Sequence, residues 1–62
     1  MKIENKNSGE TILILKMTEA IELRDSLNDL IAKNDFEIHH HICSYNFNKG
    51  IIDNELIVSL EQ

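Results

Sequence analysis

Three adjacent histidines, His39-His40-His41, followed two residues later by the single cysteine, Cys43, hold the metal-binding and nucleophilic potential of this 62-residue chain. Imidazole nitrogens and thiolate sulfur are preferred ligands of zinc and related transition metals. A thiol beside an imidazole is also the minimal pairing for a cysteine nucleophile and its base. What these groups can do depends on the element that carries them. The flanking residues, Phe36-Glu37-Ile38 before and Ile42-Cys43 after, predict a strand, in which neighbouring side chains point to opposite faces. His40 then shares a row with Phe36, Ile38 and Ile42, while His39 and His41 share the other with Cys43 and Tyr45. One imidazole is expected against the core, buried or half-buried and neutral with one hydrogen bond to backbone; two are expected on the far side.

A His-x-His pair on one strand face sets two imidazoles roughly 6.6–6.8 Å apart along the chain, a spacing that suits two ligands on one zinc ion. Cys43 continues the row, but at about 13 Å from His39 it is too far to share an ion with both histidines. Further metal ligands would have to come from Glu55 on a neighbouring strand or from a second copy. No Cys-x-x-Cys or His-Glu-x-x-His spacing is present, so histidines at a surface or interface are the simpler reading and no cofactor is expected. Enzymatic activity is not expected either. Cys43 and its neighbouring histidine would run parallel rather than in line, and Gly9 and Gly50 form no phosphate-cradling loop. A chain this short also has little room to enclose a substrate cavity of about 300 Å³.

The elements that position these residues follow from the pattern around them. Glu10 to Met17, Glu-Thr-Ile-Leu-Ile-Leu-Lys-Met, is apolar at successive positions and predicts a central strand covered on both faces. Lys2-Ile3-Glu4-Asn5 predicts a short first strand, joined to it by the turn residues Asn5 to Gly9. Thr18 has the side chain of an N-cap, and Glu19 and Glu22 would then occupy the first turn of a helix reaching about Lys33. Its apolar positions, Ala20, Leu23, Leu27, Leu30 and Ile31, form one stripe, and Glu22, Asp25, Asp29 and Lys33 lie along another face. Asn34 is suited to a left-handed C-terminal cap.

After the histidine strand, Phe47-Asn48-Lys49-Gly50-Ile51 reads as a hairpin turn with Gly50 in the bulge position. A last strand, Asn54 to Glu61, follows, with Asp53-Asn54 marking a bulge or a break in pairing. The fold class is therefore α+β in the order ββαββ, a single domain with one helix on one face of a small, mostly antiparallel sheet. One helix leaves the second sheet face bare. His39, His41, Tyr45 and Ile57 lie there, and a homodimer interface over that face is expected.

Composition narrows the class of partner. Eleven acidic against six basic side chains give a net charge of -5, which repels nucleic-acid phosphates and favours a partner protein with a basic surface. The lone cysteine forms no disulfide framework, as suits a reducing cytoplasm. Met1 to Lys6 lacks the pattern of a signal peptide, and no apolar run approaches the roughly 20 residues of a membrane span. A domain of this size buries only roughly 60% of its unfolded surface, so a partner or second copy would add needed stability.

The run Met17-Thr18-Glu19-Ala20-Ile21-Glu22-Leu23-Arg24-Asp25-Ser26-Leu27-Asn28-Asp29-Leu30-Ile31, then His39-His40-His41-Ile42 and Asn54-Glu55-Leu56-Ile57-Val58, resembles a group of small bacterial proteins over residues 17–60. Some of these look like immunity proteins of polymorphic toxin systems. The resemblance implies a sheet with one helix and a protein-binding role, such as toxin neutralisation, and it brings no catalytic residues. Where such proteins often carry an aspartate after the histidines, this chain has Ile42-Cys43-Ser44. The leading expectation is an immunity or inhibitor protein that sets Glu19, Glu22, Asp25 and Asp29 against a basic partner. The alternatives are a metal-binding protein using His39 and His41, or a structural homodimeric domain.

Overall fold

A computed structural model describes the backbone of residues 1–46 and 51–62 and the side chains of residues 1–43 and 54–62. Strands β1 (Lys2–Asn5) and β2 (Thr11–Ile14) precede helix α1 (Met17–Lys33), and strands β3 (His39–Asn46) and β4 (Ile51–Ser59) follow it. The class is α+β. Instead of one sheet, however, the strands form two separate antiparallel pairs, β1 with β2 and β3 with β4. The stretch expected to be a central strand is thus an edge on one side. Thr11 and Ile14 are exposed and Ile12 and Leu13 are half-buried, and among the described residues no third strand pairs with the open edge of β2.

The first hairpin closes as its composition dictates. Lys6 N–H donates to Glu10 C=O at 2.8 Å and Gly9 N–H to Lys6 C=O at 3.0 Å. Gly9 adopts φ 86°, a left-handed conformation that costs a residue without a Cβ little. The second hairpin is in register from His39↔Ser59 to Ser44↔Asn54, then steps to Tyr45↔Ile52. Asp53 is the extra residue, so the bulge expected at Asp53-Asn54 is present. The expected turn at Phe47 to Gly50 lies outside the described residues.

Helix α1 starts one residue before Thr18 rather than after it. Lys16 is the N-cap, and Glu19, three positions on, reaches back to accept its N–H at 2.8 Å. A carboxylate at that position satisfies an otherwise orphaned donor, which displaces the start to Met17. At the other end Asn34 takes φ 48°, ψ 42° and donates its N–H to Leu30 C=O at 2.9 Å, the left-handed cap expected of it. Asp35 then accepts from Glu37 N–H at 2.9 Å in a turn. That turn occupies residues expected to begin the strand, so β3 starts at His39 and Phe36 is exposed instead of joining the core row.

The helix packs on β3 and β4. Leu30 and Ile42, each 1% exposed, are the fully buried apolar side chains among the described residues. On β4, Asn54, Leu56 and Val58 are half-buried while Glu55, Ile57 and Ser59 are exposed, the alternation of a sheet covered on one face, and Leu60 and Glu61 just past its end continue it. The covering is sparse. The Cα radius of gyration is 13.2 Å, against about 10.6 Å for a compact domain of this length. No helix among the described residues is long and apolar enough to cross a membrane.

Candidate functional site

Strand alternation divides the histidine triplet between the two faces of the second hairpin. His40 lies opposite Val58 and points with Ile42 toward α1, where its Nε2 meets Oδ2 of Asp29 at 2.8 Å. An ionised carboxylate can only accept, so the imidazole donates. The partner is therefore a helix side chain and not the backbone group expected from sequence, because with Leu30 over the sheet its neighbour Asp29, about 100° round the helix, lies at the rim. Lys33 Nζ approaches the same oxygen at 3.3 Å. The hydrogen bond from His40 and, secondarily, Lys33 hold the Asp29 carboxyl below its ordinary pKa, against partial desolvation.

His39 and His41 occupy the other face, both exposed, with ring centroids 4.8 Å apart and planes at 64°. Nδ1 of His41 bonds Oε1 of Glu55 on β4. Ile57, 55% exposed, lies directly opposite His41. Half-buried Cys43 is paired with Glu55, two pairs further along the register and on the same face. Of the residues expected at a dimer interface, His39, His41 and Ile57 thus share one uncovered face; the side chain of Tyr45 lies outside the described residues. Among the described residues no group of three or more histidine, cysteine, aspartate and glutamate side chains is placed to hold a metal ion.

The acidic row expected on α1 is divided too. Glu19 is only 6% exposed; it accepts from Lys16 N–H and pairs through Oε2 with the amino group of Met1 at 3.1 Å. It is a structural residue at the helix start and is not available to a partner. The Lys16 N–H, followed by the Met1 ammonium, holds its carboxyl below the ordinary value despite burial. Met1 C=O in turn accepts from Asn54 Nδ2 at 2.8 Å, which ties the first hairpin to β4. Glu22 and Asp25 are exposed, and Asp25 is paired with Arg24 at 3.0 Å.

What sequence reasoning missed is where the apolar stripe of α1 ends up. At about 100° per residue, the sheet-facing sector holds Glu19, Leu23, Ser26 and Leu30. Met17, Ala20, Arg24, Leu27 and Ile31 fall on one flank, and Glu22, Asp25 and Asp29 on the opposite flank. The stripe was expected to sit on a sheet, yet only its edge does. Met17 and Ile31 are 76% and 70% exposed. Leu15, Ala20, Leu23, Arg24, Leu27, Asn28 and Ile31 instead line an open groove of about 440 Å³. Positions 17, 20, 24, 27 and 31 repeat at three and four residues, the spacing by which one helix packs against another. That signal was legible in the chain, but it was masked by Leu23 and Leu30, which satisfy the sheet by themselves.

Comparison with protein-family models, curated proteins and solved structures finds no match for this chain.

Proposed function

We propose that this protein is a small acidic protein-binding module of the immunity or inhibitor kind, working in a reducing cytoplasm. It docks a basic partner protein by laying the apolar flank of α1 against an apolar helix of that partner. One observation carries this reading: Met17, Leu27 and Ile31 are 76%, 44% and 70% exposed, and with Ala20 they lie along one flank of α1 at the three- and four-residue spacing by which one helix packs against another. The net charge of -5, carried in part by Glu22 and Asp25 on the opposite flank, supports attraction to a basic protein during encounter. Binding of this kind needs no catalytic group.

The test is capture from the native host with wild-type protein and with a Leu27→Glu, Ile31→Glu double variant, followed by titration of the purified captured protein. Wild type is expected to retain a basic protein that the double variant loses by at least tenfold in affinity, while both have the same circular dichroism. Equal affinity of the two for the captured protein, or an acidic captured protein, would overturn the reading.

A further inference from the structure

The exposed histidine pair takes no part in the helix contact or in the apolar flank. His39 and His41 are two residues apart on β3 with ring centroids at 4.8 Å. Being exposed, both can turn about their side-chain torsions. Each can bring one nitrogen to the roughly 2.0–2.1 Å at which imidazole binds zinc. The nitrogen that His41 offers is selected by its neighbour. Its Nδ1 bonds Oε1 of Glu55; an ionised carboxylate only accepts, so the proton resides on Nδ1 and the lone pair of the neutral ring on Nε2. A carboxylate behind an imidazole in this way fixes its tautomer and orients it toward a metal. Glu55 is fixed for that task by the hairpin register, which pairs it with Cys43, next to His41 on the same face.

We propose that His39 and His41 chelate a divalent transition metal, zinc foremost, and that the same pair from a second copy completes a tetrahedral four-imidazole site between two chains. An all-imidazole donor set selects zinc, copper or nickel over magnesium or calcium. Two ligands per chain leave two of the four tetrahedral positions to fill, and the described residues of one chain supply no third. A second copy fits because Ile57, opposite His41 and more than half exposed, gives the metal site an apolar neighbour on the same face. Covering it by symmetry adds burial to the coordination bonds. The site is separate from the α1 flank, so the Leu27→Glu, Ile31→Glu variant keeps it.

The test is zinc titration of tag-free protein by calorimetry, with sedimentation velocity on the same samples. One zinc per two chains is expected, with a doubling of mass that chelator reverses and that magnesium does not produce. His39→Ala or His41→Ala is expected to weaken zinc binding at least tenfold and abolish the doubling. Glu55→Gln, which keeps the side-chain shape but not the charge, is expected to weaken it about tenfold. Circular dichroism should be unchanged in all three, since these side chains are exposed. Unchanged mass at saturating zinc, one zinc per chain, or equal affinity in His41→Ala would each overturn the proposal.

Discussion

Nε2 of His40 and Oδ2 of Asp29 meet at 2.8 Å across the junction of β3 and α1, so the middle histidine of the triplet fastens the helix to the hairpin. The contact sits at the rim of the core, with about a third of each side chain exposed. It fixes how far α1 can roll over the sheet. With Asp29 held there, Leu30 is directed into the core and Leu27 and Ile31 are left outside.

Replacing Asp29 with Asn keeps the shape and an acceptor but removes the charge. The folded-state pKa of Asp29 is depressed by His40 and Lys33, so its stabilising contribution is complete above the unfolded value, about 3.9. It is lost as pH falls through the lower folded value. Urea midpoints should therefore be lower in Asp29→Asn than in wild type at pH 7, with the difference shrinking toward pH 3.

Glu19 should be the more costly carboxylate to lose. Glu19→Ala removes the carboxylate that accepts from Lys16 N–H and pairs with the Met1 amino group. A hydrogen bond to a charged group contributes roughly 1.5–3 kcal/mol, and a loss in that range is expected in chemical denaturation at pH 7. Its folded pKa is also depressed. Its contribution is thus complete above about pH 4.3, the unfolded value, and lost as pH falls through the lower folded value. Glu19→Gln should retain part of the stability and flatten the acid limb.

Core and flank leucines should separate cleanly. Leu30→Ala opens a cavity beneath the helix and is expected to cost about 2–5 kcal/mol, enough to unfold much of a domain this small. Leu27→Ala removes a side chain that is 44% exposed and should stay within about 1 kcal/mol. Far-ultraviolet circular dichroism during urea titration distinguishes them, and equal costs would show that the α1 flank is covered in solution.

The helix terminus offers a further check. Asn34 occupies the left-handed region at φ 48°, where a side chain without a local hydrogen bond costs about 1–2 kcal/mol. Asn34→Ala should destabilise by about 1 kcal/mol. Asn34→Gly should raise the thermal midpoint or leave it unchanged.

Local interactions explain which elements the sequence reveals most faithfully. Lys2–Asn5, the Gly9 turn, the helix to Lys33 and the Asn34 cap depend on residues within a few positions of one another, and they occur where the pattern puts them. The division of the triplet is of the same kind, since alternation along a strand is a property of the backbone. The helix start departs because Glu19, equally able to occupy a first turn or reach back to a cap, takes the second role when Met1 also arrives. Phe36 departs because the Asp35 turn competes with extending the strand.

Charge, class, strand alternation, the span of β1 and the C-terminal end of α1 were determined by the sequence alone, since they arise from composition and near-neighbour sterics. Only the tertiary structure decided that β2 pairs with β1 and not with the second hairpin, that Glu19 turns inward and that His40 bonds a helix carboxylate. It also decided that the apolar stripe of α1 meets the sheet by its edge alone. Each of these turns on which distant surfaces meet. A stripe wide enough to be covered in either of two directions does not itself specify which direction the sheet will come from.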